Sequence, residues 1–232
     1  MNAVEFENVC KSFDSRKVLD GLTFSVRPGE IFALVGPSGG GKSVILKHIA
    51  GLLEPDSGTV RVVPSRLGYL FQSGALLAWM TVRENVALPL LEAGELGVRE
   101  IFARVEAALK SVGLENDAEK YPGEISGGMQ KRAGLARAIV RDSDMILYDE
   151  PTSALDPVTA LQISRLIREV NRSRKVTSVV VTHDLVLASQ YADRIMLLKD
   201  GRASVCAEPA AFMASDDPAV KNFLAAAKGA GL

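Results

Sequence analysis

The run Gly36-Pro37-Ser38-Gly39-Gly40-Gly41-Lys42-Ser43 fits the pattern G-x-x-x-x-G-K-[ST], following the apolar stretch Ile31 to Val35 and opening a helical one. That setting is what a phosphate cradle requires. Glycines let successive backbone N–H groups turn inward around a phosphate, and the N-terminus of the next helix adds the positive end of its dipole. Lys42 can then reach the outer phosphate oxygens, and the Ser43 hydroxyl can ligate Mg²⁺. A glycine-rich turn that merely joins strand to helix is the blander reading, and the flanking pattern weighs against it.

Asp149-Glu150 is the second chemical group, placed directly after the apolar run 145–148. Adjacent residues at a strand end point different ways, so Asp149 can hold a metal while Glu150 polarises an attacking water as general base. Two acids capping a strand into solvent would explain the pair in isolation. An upstream phosphate loop makes the chemical reading the better one.

These groups must be held by alternating strands and helices. Short β-branched runs bounded by turn residues alternate with helical patterns from Ile31 through the run 193–198, which predicts an α/β fold with a mostly parallel core sheet. Ahead of it, strands at 4–9, 18–19 and 22–26, separated by turns at Asp14-Ser15 and Asp20-Gly21, predict a flanking antiparallel β layer. Strands vanish between residues 80 and 128, where Val98, Ile101, Val105, Ala108, Leu109 and Val112 recur at helical spacing, so an inserted helical subdomain is expected. Buried strands at 145–148 and 178–181 are joined by a helix over 157–170, with Asp156 as cap and Pro157 in its first turn. Ser215-Asp216-Asp217-Pro218 opens a C-terminal helix, about 215–228, with Val220, Phe223, Leu224 and Ala227 on one stripe. Its dock is either its own domain or another chain. The whole of 1–232 reads as one domain, with core and β layer over about 1–79 and 129–214 and the helical subdomain over about 80–128.

Composition removes several classes. Apolar residues at 47% and charged residues at 24% exclude a disordered tail, a collagen-like repeat and a disulfide scaffold. The 27 Lys+Arg against 28 Asp+Glu leave a formal charge of -1, so no nucleic-acid partner is expected. No apolar run approaches the roughly 20 residues that span a bilayer, and the N-terminus lacks a signal-peptide layout, so a soluble, unexported chain is expected. Cys10 and Cys206 stand alone, without zinc or catalytic spacing, and are expected to be reduced and mostly packed.

With Glu124-Ile125-Ser126-Gly127-Gly128-Met129 in place, the chain resembles an ATP-binding cassette (ABC) ATPase, a P-loop NTPase, over nearly its whole length. Tyr69-Leu70-Phe71-Gln72 resembles the Q-loop, Ser126-Gly127-Gly128 the signature, Ser153-Ala154-Leu155-Asp156 the D-loop and Thr182-His183-Asp184 the switch histidine. Phe13 sits where the family places its adenine-stacking aromatic. The resemblance implies ATP and Mg²⁺ as cofactors and ATP hydrolysis as the reaction. It gives catalytic roles to Glu150, His183, Lys42 and Gln72, and metal contacts to Ser43, Gln72 and Asp149. Nucleotide contacts fall to Phe13, to Gly36, Pro37, Ser38, Gly39, Gly40, Gly41, Lys42, Ser43 and Val44, and to Ser126, Gly127, Gly128 and Asp156. The signature opens a helix to about residue 141, a second helix N-terminus for phosphate, which in the family addresses the γ-phosphate held by the other protomer. ATP would then join two cassettes as a homodimer.

By itself, a histidine after a buried strand is more often a core residue than a ligand, and the choice for His183 rests on the family. For Phe13 the alternative is a plain core aromatic, against which the family position weighs. His48 reads as packing. Ile125 and Met129 replace the usual Leu and Gln of the signature, and only about fourteen residues separate Gly58 from Gln72, so the β layer there is expected to be trimmed.

Segments 39–49, 71–77 and 217–224, with the Met129 signature, resemble the cassettes of Mla-type lipid transporters paired with MCE-domain proteins. That implies phospholipid movement between envelope membranes, two transmembrane permease subunits, an MCE-domain substrate-binding protein and room for a small accessory protein. The implied location is peripheral, on the cytoplasmic face of the inner membrane. An ABC importer for amino acids or another polar solute would share every catalytic residue. An ABC ATPase of translation or DNA repair would carry tandem cassettes or coiled-coil insertions, which this sequence lacks. Leu76, Leu77, Trp79 and Met80, close to Gln72, suggest a groove for a permease helix, or else the core of the helical subdomain.

Overall fold

Strands β1 (Val4–Phe13) and β2 (Arg16–Val26) form a long antiparallel hairpin, paired from Val4↔Val26 to Phe13↔Arg16. The reversal falls at Asp14, whose φ of 52° is left-handed, as expected. Asp20-Gly21 is not the turn the sequence predicts. The ladder runs through it with a register shift, and Gly21 takes a φ of 63°, so a β-bulge stands where the composition reads as a strand break. In this computed structural model the described residues are 1–229, with side chains through 226, and they form two compact units, Met1–Ser65 with the chain from Arg168 onward, and Arg66–Ile167.

In the first unit β3 (Ile31–Val35) is buried at every position and leads through the glycine loop into α1 (Lys42–Ile49). Strand β4 (Ser57–Val62) adds to the other side of β1, completing a three-stranded antiparallel layer in the order β2-β1-β4. Stacked rings join that layer to β3. Phe6 and Phe24 lie 4.6 Å apart and Phe24 and Phe32 5.6 Å apart, centroid to centroid. His48, on α1, meets Phe6 edge-on, and its Nδ1 bonds the Leu53 carbonyl at 2.7 Å, so it is packing, as read.

The second unit begins with β5 (Leu67–Leu70) and continues through α2 (Val82–Ala93), α3 (Val98–Ser111), α4 (Gly127–Ile139), β6 (Met145–Asp149) and the start of α5 (Pro157–Arg174). A capping box starts α2, Thr81 Oγ1 accepting from the Glu84 N–H and the Thr81 N–H donating to the Glu84 carboxylate. The stripe on α3 buries Val105, Ala108 and Leu109, whereas Val98, counted in that stripe, is 84% exposed at the first turn. Strands β5 and β6 run parallel from Leu67↔Met145 to Leu70↔Tyr148.

The first unit resumes at β7 (Thr177–Thr182) and continues with α6 (Leu185–Tyr191), β8 (Arg194–Lys199), β9 (Arg202–Ala207), α7 (Pro209–Met213) and α8 (Pro218–Gly229). Strand β3 is sandwiched between parallel β7 and β8, both of its faces covered, and β9 closes antiparallel on β8. Helix α5 continues to Arg174, past the expected end at 170. Asp217 caps α8 through the Ala219 N–H at 2.7 Å, and Val220 is fully buried beside α7, so the first turn of the C-terminal helix docks on its own unit. The Ala227 side chain lies outside the described residues. Cys10 is half-buried, whereas Cys206 is exposed, which corrects the expectation of a mostly packed thiol there: it lies on a strand whose faces alternate. No helix among the described residues is long and apolar enough to cross a membrane.

Candidate functional site

Within the first unit, the loop between β3 and α1 takes three left-handed glycines, Gly36, Gly39 and Gly41, with φ of 154°, 73° and 95°. A Cβ on Gly36 would lie 2.4 Å from the Leu198 carbonyl oxygen, and one on Gly41 2.9 Å from Val18 Cγ1, so no side chain fits at either position. Lys42 is only 6% exposed, and its ammonium donates to the Gly36 and Pro37 carbonyls at 2.8 and 3.0 Å. Gly41 caps α1 with no side chain of its own, and Ser43 sits exposed in the first turn. Gly36→Ala is therefore expected to destabilise the protein by roughly 2–4 kcal/mol, because both the φ and the fixed Leu198 backbone oppose it. Urea unfolding checks this; an unchanged midpoint would contradict the packing described.

His183 follows β7 directly, and Val35 pairs with Thr182, so Gly36 and His183 leave adjacent parallel strands at the same sheet edge. The sequence could not show this, because that pairing joins segments more than a hundred residues apart. The histidine is exposed, which sets aside the core reading. Phe13 is 44% exposed at the hairpin tip, with the Lys11 ammonium 5.8 Å from its ring, so it is no core aromatic either. Val18, close to the Phe13–Arg16 pair, is the residue that touches Gly41.

In the second unit, Gln72 and Asp149 leave β5 and β6 at the same end. Both line a cavity of about 630 Å³, with Gly127, Lys131 and the Ser153-Ala154 turn. Burial, followed by the Asp149 charge and a hydrogen bond to it, pushes the Tyr69 phenol well above its ordinary range. Ser126 caps α4, its Oγ accepting from the Met129 N–H at 3.3 Å, so Ser126, Gly127 and Gly128 do open the helix. A Cβ on Gly128 would lie 2.6 Å from Thr159 Cγ2. Asp156 caps α5 through the Val158 and Thr159 N–H groups, both at 3.0 Å. Hydrogen bonds, first that of the Thr159 side chain, hold its carboxyl below the usual range.

Three residues here carry no sequence signal. Lys131, on α4, is 5% exposed, and burial pushes its ammonium down to about 8, with the Glu150 charge opposing the shift. Arg137, one helical turn and a half further on, donates to the Ala75 and Gly74 carbonyls at 2.8 Å each, fixing the backbone just after Gln72. Gly134 lies between them, and a Cβ there would meet Leu70 Cδ1 at 2.7 Å. Asn85 is the third. It is fully buried, and its amide binds the Leu77 N–H and the Leu77, Met80 and Thr81 carbonyls at 2.7–3.1 Å. A lysine, arginine or asparagine in a helix ordinarily reads as solvated, and only the long-range packing says otherwise.

A loop with left-handed glycines ahead of a helix, with a buried lysine and a first-turn hydroxyl, fits a polyphosphate. Ser43 in the first unit and Asp149 in the second are each hard oxygen donors of the kind Mg²⁺ takes. The sequence profile described as ABC transporter matches residues 19–153, from β2 into the turn after Glu150. This chain belongs to the ABC transporter family. The cassette is 39% identical over 237 residues to the probable ribonucleotide transport ATP-binding protein mkl of Mycobacterium leprae, covering 96% of this chain and 68% of that protein. It is 37% identical over 242 residues to the methionine import ATP-binding protein MetN 2 of Pseudomonas entomophila, covering 95% of this chain and 72% of that one. The chain thus spans about two thirds of the length of these curated relatives. The ATP-binding cassette MJ0796, solved as a dimer in a post-hydrolysis state with ADP and Pi, matches with a TM-score of 0.80 at 32% identity, over 89% of this chain and 98% of that one. The cassette is an ATP hydrolase that uses Mg²⁺, and cassettes of this family dimerise and work with transmembrane permease subunits.

Proposed function

We propose that this cassette is the ATP-hydrolysing subunit of a membrane transporter of the Mla type, moving phospholipids or related hydrophobic molecules. The observation that carries the ATPase reading is the glycine loop with its buried Lys42, set at one sheet edge with His183. Gly36 to Gly41 would offer N–H groups to the phosphates, with Lys42 neutralising charge on them and Phe13 stacking on the base. Bound Mg²⁺ would supply charge neutralisation at the phosphate oxygens, and the family resemblance names Ser43, Gln72 and Asp149 as the residues that would hold it. Glu150 accepts the proton of the attacking water, and His183 contacts the terminal phosphate. Ser126, Gly127 and Gly128 would present their helix N-terminus to the nucleotide of a second copy, with Asp156 on the D-loop.

Lipid cargo is supported by the sequence likeness of 71–77, the Met129 signature and 217–224 to Mla-type cassettes. It carries with it an MCE-domain partner, a small accessory protein and the cytoplasmic face of the inner membrane. A polar solute is the second reading, favoured by the ribonucleotide and methionine named for the curated relatives. Purifying the complex from native membranes and identifying its subunits and bound lipids separates the two. An MCE-domain subunit with stoichiometric phospholipid is expected, and a soluble solute-binding protein without lipid would overturn the lipid reading.

Trp79 supports a permease dock. It is 75% exposed, on a loop whose backbone Asn85 holds, so it is displayed rather than packed. Trp79→Glu is expected to leave the melting temperature of the isolated cassette within about 2 °C while abolishing recovery of the permease in a pull-down. Undiminished recovery would show that the permease binds elsewhere.

A further inference from the structure

Three hydrogen bonds leave the Lys131 ammonium: one to the Glu150 carbonyl at 3.1 Å, one to the Ser153 carbonyl at 2.7 Å and one to Ser153 Oγ at 3.1 Å. They use all three of its donors, and every acceptor belongs to the turn that follows β6. That turn is strained. Glu150 and Ala154, neither of them glycine, take φ of 49° and 59°. The Glu150 carbonyl also accepts from the Ser153 N–H at 3.2 Å and from Ser153 Oγ at 2.9 Å, so three donors converge on one oxygen. In a left-handed residue the direction of the Cα–Cβ bond is set by the turn, and relaxation to an ordinary φ would swing the carboxylate elsewhere.

We propose that Lys131 is a positioning residue for ATP hydrolysis, holding the Glu150–Ser153 turn in the conformation that aims the Glu150 carboxylate. The proposal rests on the reading of Glu150 as general base. Lys131 touches no reacting atom in this role. It acts through the backbone carbonyl, and its placement on the helix opened by Ser126 ties the signature to the turn that carries the base. A misaimed base slows the chemical step, whereas the glycine loop and Lys42, to which none of these three bonds runs, keep their affinity.

The test uses the full-length cassette with Lys131→Met, which keeps the length of the side chain and removes the donors. Steady-state ATPase activity is expected to fall about 10- to 100-fold in kcat with KM for ATP changed less than about threefold. In the Glu150→Gln background the same substitution is expected to cost almost nothing further, because the group it aims is already gone. Wild-type kcat, a rise in KM with kcat preserved, or an equal loss in both backgrounds would each overturn the proposal. Glu150→Gln retaining full turnover would instead overturn the assignment of the base. Should Lys131→Met fail to fold, Lys131→Leu, which also removes the donors, is read by the same criteria.

Discussion

Glu150→Gln is expected to give a protein that binds ATP and does not hydrolyse it. Turnover should fall about 100- to 10,000-fold while ATP affinity stays within about threefold, since the amide keeps the shape of the side chain and removes its capacity to accept a proton. The residue is half-buried just after β6, and Lys131 grips its backbone carbonyl, so the turn that carries the side chain is held in the same way with the amide. ATP trapped in this way should hold two copies together, visible by size-exclusion chromatography as an ATP-dependent dimer. Phosphate release measures the chemical step. Near-normal release in the assembled transporter would remove Glu150 from the role of base.

Lys42→Ala fails at an earlier stage. The ammonium is buried and donates to two carbonyls of its own loop, so the substitution deletes the charge proposed to meet the phosphates and two bonds that hold the loop. ATP affinity is expected to drop about 30- to 1,000-fold, the scale of a lost charge-assisted contact with a polyphosphate. Equilibrium binding of a fluorescent ATP analogue reads it, with thermal unfolding run in parallel to separate a collapsed loop from a missing charge. Wild-type affinity would contradict the cradle. The two variants thus divide the reaction, Lys42 at binding and Glu150 at chemistry.

Local chemistry made much of this molecule readable in advance. The glycine loop, Asp149-Glu150, Ser126 as a helix cap and Asp156 at the start of α5 are each written in a few neighbouring residues, and each appears where its pattern puts it. Asp20-Gly21 shows the limit of such signals. The same residues serve a turn or a bulge, and pairing with β1 decides which. Cys206 goes against the packing that cysteine usually shows, because its place on β9 leaves it exposed. Lys131, Arg137 and Asn85 were invisible for a different reason. Their partners are backbone carbonyls and N–H groups, which every residue carries, so nothing in the sequence of the partner segment marks the contact.

That anonymity has an evolutionary consequence at Asn85. Its amide grips only main-chain atoms of Leu77, Met80 and Thr81, so the path of the loop is independent of which side chains it carries. Residues such as Trp79 can therefore be exchanged by drift or selection without a compensating change in the scaffold. With the proposed permease dock at Trp79, a lineage would be able to retune which membrane protein this cassette recognises one substitution at a time, with the hydrolytic machinery inherited unaltered.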